Sequence, residues 1–246
     1  MIYEYSTIVG SYLCDYTDHL SVWGVARLFQ EVAEYHTNET HIGYHDLIAD
    51  NKAWVLTRMR YELHEMPATF SNVTLHTWSR GCESVYALRD FELTDADGRC
   101  LCTATANWVV IDFETRKVCR LNDIMSHYDH HDRTATQVSK LEKLRLGSMD
   151  NAQQVLQMQV RESMLDHTQH VNNAEYLRWA SDYWPRQDNP IATHSPFNHT
   201  SIDVNFLAET RMAETVSVVR CHTENSTDFQ IANPRGISVV MRWSKI

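Results

Sequence analysis

Leu165-Asp166-His167-Thr168-Gln169-His170-Val171-Asn172-Asn173-Ala174-Glu175-Tyr176-Leu177-Arg178-Trp179 opens as a polar turn and closes with helical character, and its D-x-T-x-H core recurs as Asp15-Tyr16-Thr17-Asp18-His19. Each copy stands in front of a helix. In the first half Val22, Val25, Phe29 and Val32 recur every three or four positions, with Arg27, Gln30, Glu31 and Glu34 between them. That spacing predicts one amphipathic helix over 21–39. In the second half a helix over 172–183 is expected to stop at Pro185, whose ring cannot continue it. The same motif at the same point of the same element order points to an internal duplication.

Strand character follows each helix. Runs at 53–61, 73–78, 85–93, 100–112 and 117–120 are expected to be strands, with Asp95-Ala96-Asp97-Gly98 as a hairpin turn. After a polar stretch over 121–150, with a short helical piece expected at 140–146, strands are expected at 155–160, 201–207, 215–221, 228–232 and 237–243. The last alternates Ile237, Val239, Met241 and Trp243 with Ser238, Val240 and Arg242, as a half-buried strand does. A sheet must cover its apolar face, and one long helix wrapped by a curved antiparallel sheet does so in each half. The reading is an α+β chain with an N-terminal half over 1–130, a linker over 131–150 and a C-terminal half over 151–246.

The chain has 246 residues and a formal net charge of -10, which opposes non-specific attraction to nucleic acid or to an anionic membrane. No apolar run approaches the roughly 20 residues of a membrane span, and the start lacks the basic and apolar stretches of a signal peptide, so a cytoplasmic location is expected. Six cysteines are too sparse for a disulfide scaffold and read as reduced, mostly buried thiols. A local basic stretch (Arg116, Lys117, Arg120, Arg133, Lys140, Lys143, Arg145) is the candidate docking place for an acidic partner. His127-Tyr128-Asp129-His130-His131-Asp132 lacks a regular ligand spacing and reads as a solvated loop. No metal and no cofactor are expected.

The segment from Leu165 to Trp179 closely resembles the L-D-x-N-x-H-V-N-N-x-x-Y-x-x-W segment of plant and bacterial acyl-acyl carrier protein thioesterases. Leu28-Phe29-Gln30-Glu31-Val32-Ala33-Glu34-Tyr35-His36 and Trp54-Val55-Leu56-Thr57-Arg58 look like the bacterial members. The resemblance spans nearly the whole chain, loosest in the linker. It implies a tandem (double) hotdog fold, with the acyl chain held in the first half, where Val25 and Phe29 are its candidate contacts, and the chemistry in the second. It also implies hydrolysis of fatty acyl-acyl carrier protein to free fatty acid and carrier thiol, with the carrier as partner and a homodimer left open. By position the catalytic residues fall on Asp166, His170 and Glu209. Two departures stand out. Thr168 replaces the usual Asn, and Thr210 replaces the Cys of the plant enzymes, which argues against a cysteine nucleophile. An acyl-coenzyme A thioesterase and a non-catalytic acyl-binding protein are the alternatives.

The chemistry is intelligible from the residues alone. A thiolate, whose parent thiol has a pKa of about 8.5, leaves readily, so hydrolysis needs a nucleophile and an oxyanion stabiliser rather than a metal. Asp166, with Thr168 beside it, precedes a helix start at Asn172 and Asn173 whose first amides lack intrahelical partners and can polarise a carbonyl. Asp166 could attack directly or activate water, His170 could orient or relay a proton, and Glu209 could position the water. Read for local structure alone, Asp166 and Asn172 are helix caps. The first copy, with Asp15 and His19, lacks the two asparagines and reads as structural, although Glu65 is placed to stand in for Glu209.

Overall fold

The computed structural model describes residues 1–125, 129–184 and 194–246. The first half contains β1 (Tyr3–Ile8), α1 (Val22–Glu39), α2 (Tyr44–Ala49), β2 (Lys52–Leu63), β3 (Asn72–Glu83), β4 (Tyr86–Asp95) and β5 (Cys100–Asp112), followed by α3 (Asn122–Met125). The second contains β6 (Gln153–Gln159), α4 (Asn173–Ser181), β7 (Thr200–Phe206), β8 (Thr215–His222), β9 (Ser226–Asn233) and β10 (Gly236–Lys245). All ten strands form one antiparallel sheet in the order β1-β3-β4-β5-β2-β7-β10-β9-β8-β6. Matching β1–β5 with β6–β10 makes this order its own mirror image, and β2 meets β7 at the seam, with Met59 opposite Val204.

α1 buries the predicted stripe of Val22, Val25, Phe29 and Val32. Ser21 fixes its start: the hydroxyl accepts from the Gly24 amide at 2.9 Å and donates to the Leu13 carbonyl at 2.7 Å. α4 is shorter than expected, ending at Ser181, and Pro185 lies outside the described residues. The two helices contact each other and share one core with inward side chains from both halves of the sheet, among them Tyr61, Phe91, Phe229 and Trp243. No described helix is long and apolar enough to cross a membrane. All six cysteines are free, but only Cys102 is buried, because most of the others sit near strand ends or in turns rather than on the inward rows.

The linker differs from its expected form. No helix occurs at 140–146; residues 129–150 run without helix or strand, and 117–120 forms only the single bridge Ile111–Val118. The physical reason lies in the face of the sheet away from the helices, which carries charges needing partners. Asp90 on β4 accepts from the Ala135 amide at 2.7 Å, and Glu62 on β2 accepts from the Gln137 amide at 3.2 Å. Arg58 on β2 donates to the Leu141 carbonyl at 2.9 Å, and Asn205 on β7 accepts from the Leu144 amide at 2.7 Å. A helix would consume these amides and carbonyls internally; an extended strap leaves them for the sheet.

Candidate active site

The two D-x-T-x-H segments fold into the same loop. In one, the Asp166 amide donates to the His170 carbonyl at 2.9 Å, the Gln169 amide donates to the Asp166 carbonyl at 3.0 Å, and Gln169 has a φ of 64°. In the other the matching contacts are Asp15 to His19 at 2.9 Å and Asp18 to Asp15 at 3.1 Å, with a φ of 60° at Asp18. Each aspartate closes its loop through one oxygen. Asp166 Oδ1 accepts from the Thr168 amide at 2.9 Å and its hydroxyl at 2.5 Å, and Asp15 Oδ1 does the same with Thr17 at 2.8 and 2.5 Å. Such Asx turns are local side-chain mimics of a backbone turn. Asp166 is therefore not a helix cap; Asn172 is, with its side-chain oxygen accepting from the Ala174 amide at 2.9 Å.

The loops differ in what faces the histidine. His170 bridges Arg211, and the Val171 amide donates to the Thr210 carbonyl; in the first copy His19 bridges Ala68, and the Leu20 amide donates to the Pro67 carbonyl. By this register the counterpart of Glu209 is Met66, not Glu65. Glu65 is half-exposed and pairs with Arg99 at 2.9 Å, while Met66 is buried. Thus His170 Nε2 lies 3.0 Å from Glu209 Oε2, whereas His19 Nδ1 turns to the Thr17 carbonyl at 2.7 Å. Replacing His19 by Ala is accordingly expected to leave turnover within a few-fold of the parent in a thioester assay; loss of turnover on every acyl substrate would contradict this.

Around Glu209 the site draws on both halves. Its Oε1 receives the guanidinium of Arg116, from the turn after β5. Its backbone carbonyl accepts from Arg235 at 2.6 Å and from Asn233 Nδ2 at 3.0 Å. Thr210 is fully buried, its hydroxyl oxygen 3.1 Å from Asn233 Nδ2. Thr168 Oγ1 is also 3.2 Å from His170 Nδ1, so Asp166, Thr168, His170 and Glu209 stand in one contiguous line, with the Thr168 hydroxyl donating to Asp166 and the neutral ring able to donate through Nδ1 to Thr168. Burial holds the His170 pKa below its ordinary value; Asp166 opposes that, and the guanidinium charges of Arg211, Arg116 and Arg235 reinforce it. These three arginines were not among the sequence-derived site residues. Arg116 belongs to the basic stretch over 116–145, in which Arg133 pairs with Glu92 and Lys140 with Glu83, while Lys140, Lys143 and Arg145 share one surface depression with Arg58.

This cluster stands at a cavity of about 1160 Å³ that extends into the first half. Asp166, Thr168, His170, Asn172, Asn173 and Glu209 all line it. α2 supplies Leu47, and Tyr44, whose ring meets that of His167 at 4.2 Å edge-on. Trp54 on the wall is pinned by its indole N–H donating to the Ile42 carbonyl at 2.9 Å. The residues of α1 expected to contact an acyl chain, Val25 and Phe29, are placed elsewhere: both are fully buried in the core, and Leu28 and Ala33 face the cavity instead. Phe29 stacks between Phe91 and Tyr61, with ring centroids 5.0 and 6.4 Å away, and so belongs to the packing that bounds the space. Among the described residues no group of His, Cys, Asp or Glu is gathered to hold a metal ion. His127 and Tyr128 of the histidine-rich run lie outside them.

Comparison with known proteins gives concordant matches. The family model for the acyl-ACP thioesterase N-terminal domain matches residues 1–128, and that for the C-terminal domain matches residues 147–240. The chain is similar to oleoyl-acyl carrier protein thioesterase 2, chloroplastic, of Arabidopsis thaliana, at 28% identity over 207 residues, covering 75% of this chain and 54% of that protein. It thus spans about half the length of the curated relatives it matches. In fold it is similar to an acyl-ACP thioesterase from Bacteroides thetaiotaomicron, with a TM-score of 0.83 at 20% identity, covering 99% of this chain and 97% of that one. It is also similar to the 12:0-ACP thioesterase from Umbellularia californica, with a TM-score of 0.77 at 18% identity, covering 100% and 98%.

Proposed function

Since the chain belongs to the acyl-ACP thioesterase family, we propose that it hydrolyses the thioester between a fatty acyl chain and acyl carrier protein, releasing the free acid and the carrier thiol. The observation that carries this reading is the continuous chain Asp166–Thr168–His170–Glu209 at the mouth of a cavity of about 1160 Å³. The fold is read as a tandem hotdog, residues 1–130 holding the acyl chain, 131–150 joining the halves and 151–246 carrying the chemistry. The test is direct: thiol release from a ladder of acyl-carrier substrates, with the liberated acids identified by mass spectrometry. Absence of hydrolysis on every member would overturn the assignment.

In this reading the acyl chain enters the first half, and its thioester carbonyl stops beside the start of α4. Asn172 occupies the Ala174 amide, leaving the Asn173 amide at the helix head, where the positive end of the dipole favours a developing oxyanion. Water is the nucleophile's source, and the carboxylate–hydroxyl–imidazole chain removes its proton. The hydroxyl of Thr168 donates to Asp166 and can accept from His170 through one oxygen, whereas a side-chain amide would need two different atoms to do both. The proton then passes to the departing thiolate. Glu209, held by Arg116, keeps the His170 ring in place. An acidic carrier would meet Arg116, Arg211 and Arg235 at the mouth rather than the linker.

The guanidinium charges predict a pH effect. Neutral His170 is the competent form, and a depressed pKa keeps it neutral into mildly acidic solution. Arg211→Gln removes one positive charge that disfavours the imidazolium, so the acid limb of the kcat profile is expected to move to higher pH. A limb that stays in place or moves to lower pH would remove Arg211 from the electrostatics of the site.

A further inference from the structure

Gln30 is a half-buried residue of α1 that lines the cavity together with Asn172, Asn173 and His170. Its side-chain amide makes no hydrogen bond to any of the described residues. Trp23, Arg27 and Gln30, spaced one helical turn apart, form a stripe on α1 that also lines the cavity. The first two are engaged across the helix pair: the Arg178 guanidinium of α4 sits 5.5 Å from the Trp23 ring centroid, and Arg27 donates to Glu175 Oε1 at 2.8 Å. These contacts ascend α1 while they descend α4, so the two helices run antiparallel. One further turn, about 4.5 Å at 1.5 Å per residue, leads from Arg27 on to Gln30 and from Glu175 back to Asn172. The register of the pair therefore brings Gln30 to the capped head of α4, where Asn173 borders the cavity.

A side-chain amide carries two N–H donors, and water can satisfy them while the residue is half-exposed. An acyl group filling the cavity strips that water away, and an amide buried without a partner is costly. At this depth the acyl group brings one strong acceptor, the thioester carbonyl oxygen, which takes hydrogens and gives none. The other half is built differently. Ser181 stands as far beyond its cap Asn172 as Gln30 stands beyond Ser21, and the same register carries it toward the head of α1. Its short hydroxyl donates back into its own helix, to the Arg178 carbonyl at 2.7 Å. The long amide is thus set beside the loop whose His170 meets Glu209, and a hydroxyl turned inward is set beside the loop that has no such pair.

We propose that Gln30 is a catalytic residue: its side-chain N–H and the Asn173 amide together hold the thioester carbonyl oxygen as it takes up negative charge, so that each half supplies one donor. This rests on the thioesterase reading for the reaction. Gln30→Met keeps the length and helix-forming character of the side chain and removes the amide. Its kcat on the best member of an acyl-carrier ladder is expected to fall about a hundredfold, the scale of losing one oxyanion donor. Gln30→Glu, which sets a carboxylate against the developing charge, should lose at least as much, and melting curves check that both variants are folded. Two non-hydrolysable acyl-pantetheine ligands separate this role from packing: an amide analogue that keeps the carbonyl and a thioether analogue that lacks it. In titration calorimetry Gln30→Met should bind the thioether analogue as the parent does and the amide analogue more weakly. A kcat within about threefold of the parent overturns the proposal, and so does equal weakening of both analogues, which would make Gln30 part of the cavity wall. If the parent hydrolyses no thioester, the thioesterase reading falls separately and the analogues decide: a loss confined to the amide analogue sustains the contact with a carbonyl, and unchanged or parallel affinities overturn it.

Discussion

Asp166→Asn is expected to lower kcat by about a thousandfold or more, within the range that general acid–base groups contribute. The loop should survive the change. Asp166 Oδ1 accepts from the Thr168 amide and hydroxyl, and an asparagine oxygen accepts the same two bonds. What disappears is the charge that draws a proton from His170 through Thr168 and so makes the ring a better base. Because Asn172 and not Asp166 caps α4, helix stability is not at stake. Steady-state kinetics paired with a melting curve checks the result: near-parental turnover in a folded Asp166→Asn protein would remove Asp166 from the chemistry.

The largest effect on stability is expected from Asp90→Ala. Asp90 is 0% exposed, accepts from the Ala135 amide at 2.7 Å and lies 3.4 Å from the Arg80 guanidinium. Its removal leaves a buried amide and a nearly buried cation without their shared acceptor, and breaking a buried pair of this kind costs about 3 kcal/mol or more. The strap over the sheet should loosen with it. Lys140→Ala, which breaks the exposed pair with Glu83, should change little by comparison. Urea titrations of both variants provide the check. Equal midpoints for Asp90→Ala and the parent would mean that the strap rests on the sheet without holding it.

Periodic segments were legible in the sequence, and unpatterned ones were not. α1 and β10 announce themselves because their apolar residues repeat at the spacing of the element. α2 is only six residues long, too short to show a period, and the strap is polar because its partners are buried carboxylates rather than a core. At the site, Asp166, Thr168 and His170 are sequence neighbours and could be read together. Arg116 could not, since it reaches Glu209 across 93 positions and from the other half. Helical spacing showed that Val25 and Phe29 turn inward, but not that the space in front of them is filled by Phe91 and Tyr61. Choosing Glu65 as the counterpart of Glu209 missed by one residue, and only the bridge register at Ala68 and Arg211 corrects it to Met66.

The seam between β2 and β7 has a consequence for how such a site can change. In a symmetric pair of identical chains every substitution is made twice, so a residue that deepens a groove in one subunit also appears at the reaction centre of the other. Joining both halves in one polypeptide lifts that restriction. Met66 and Glu209 occupy equivalent places, as do Leu20 and Val171. One loop can keep its shape beside a buried methionine, and the other can gain a carboxylate and two asparagines. Each half is then free to change without the same change appearing in the other.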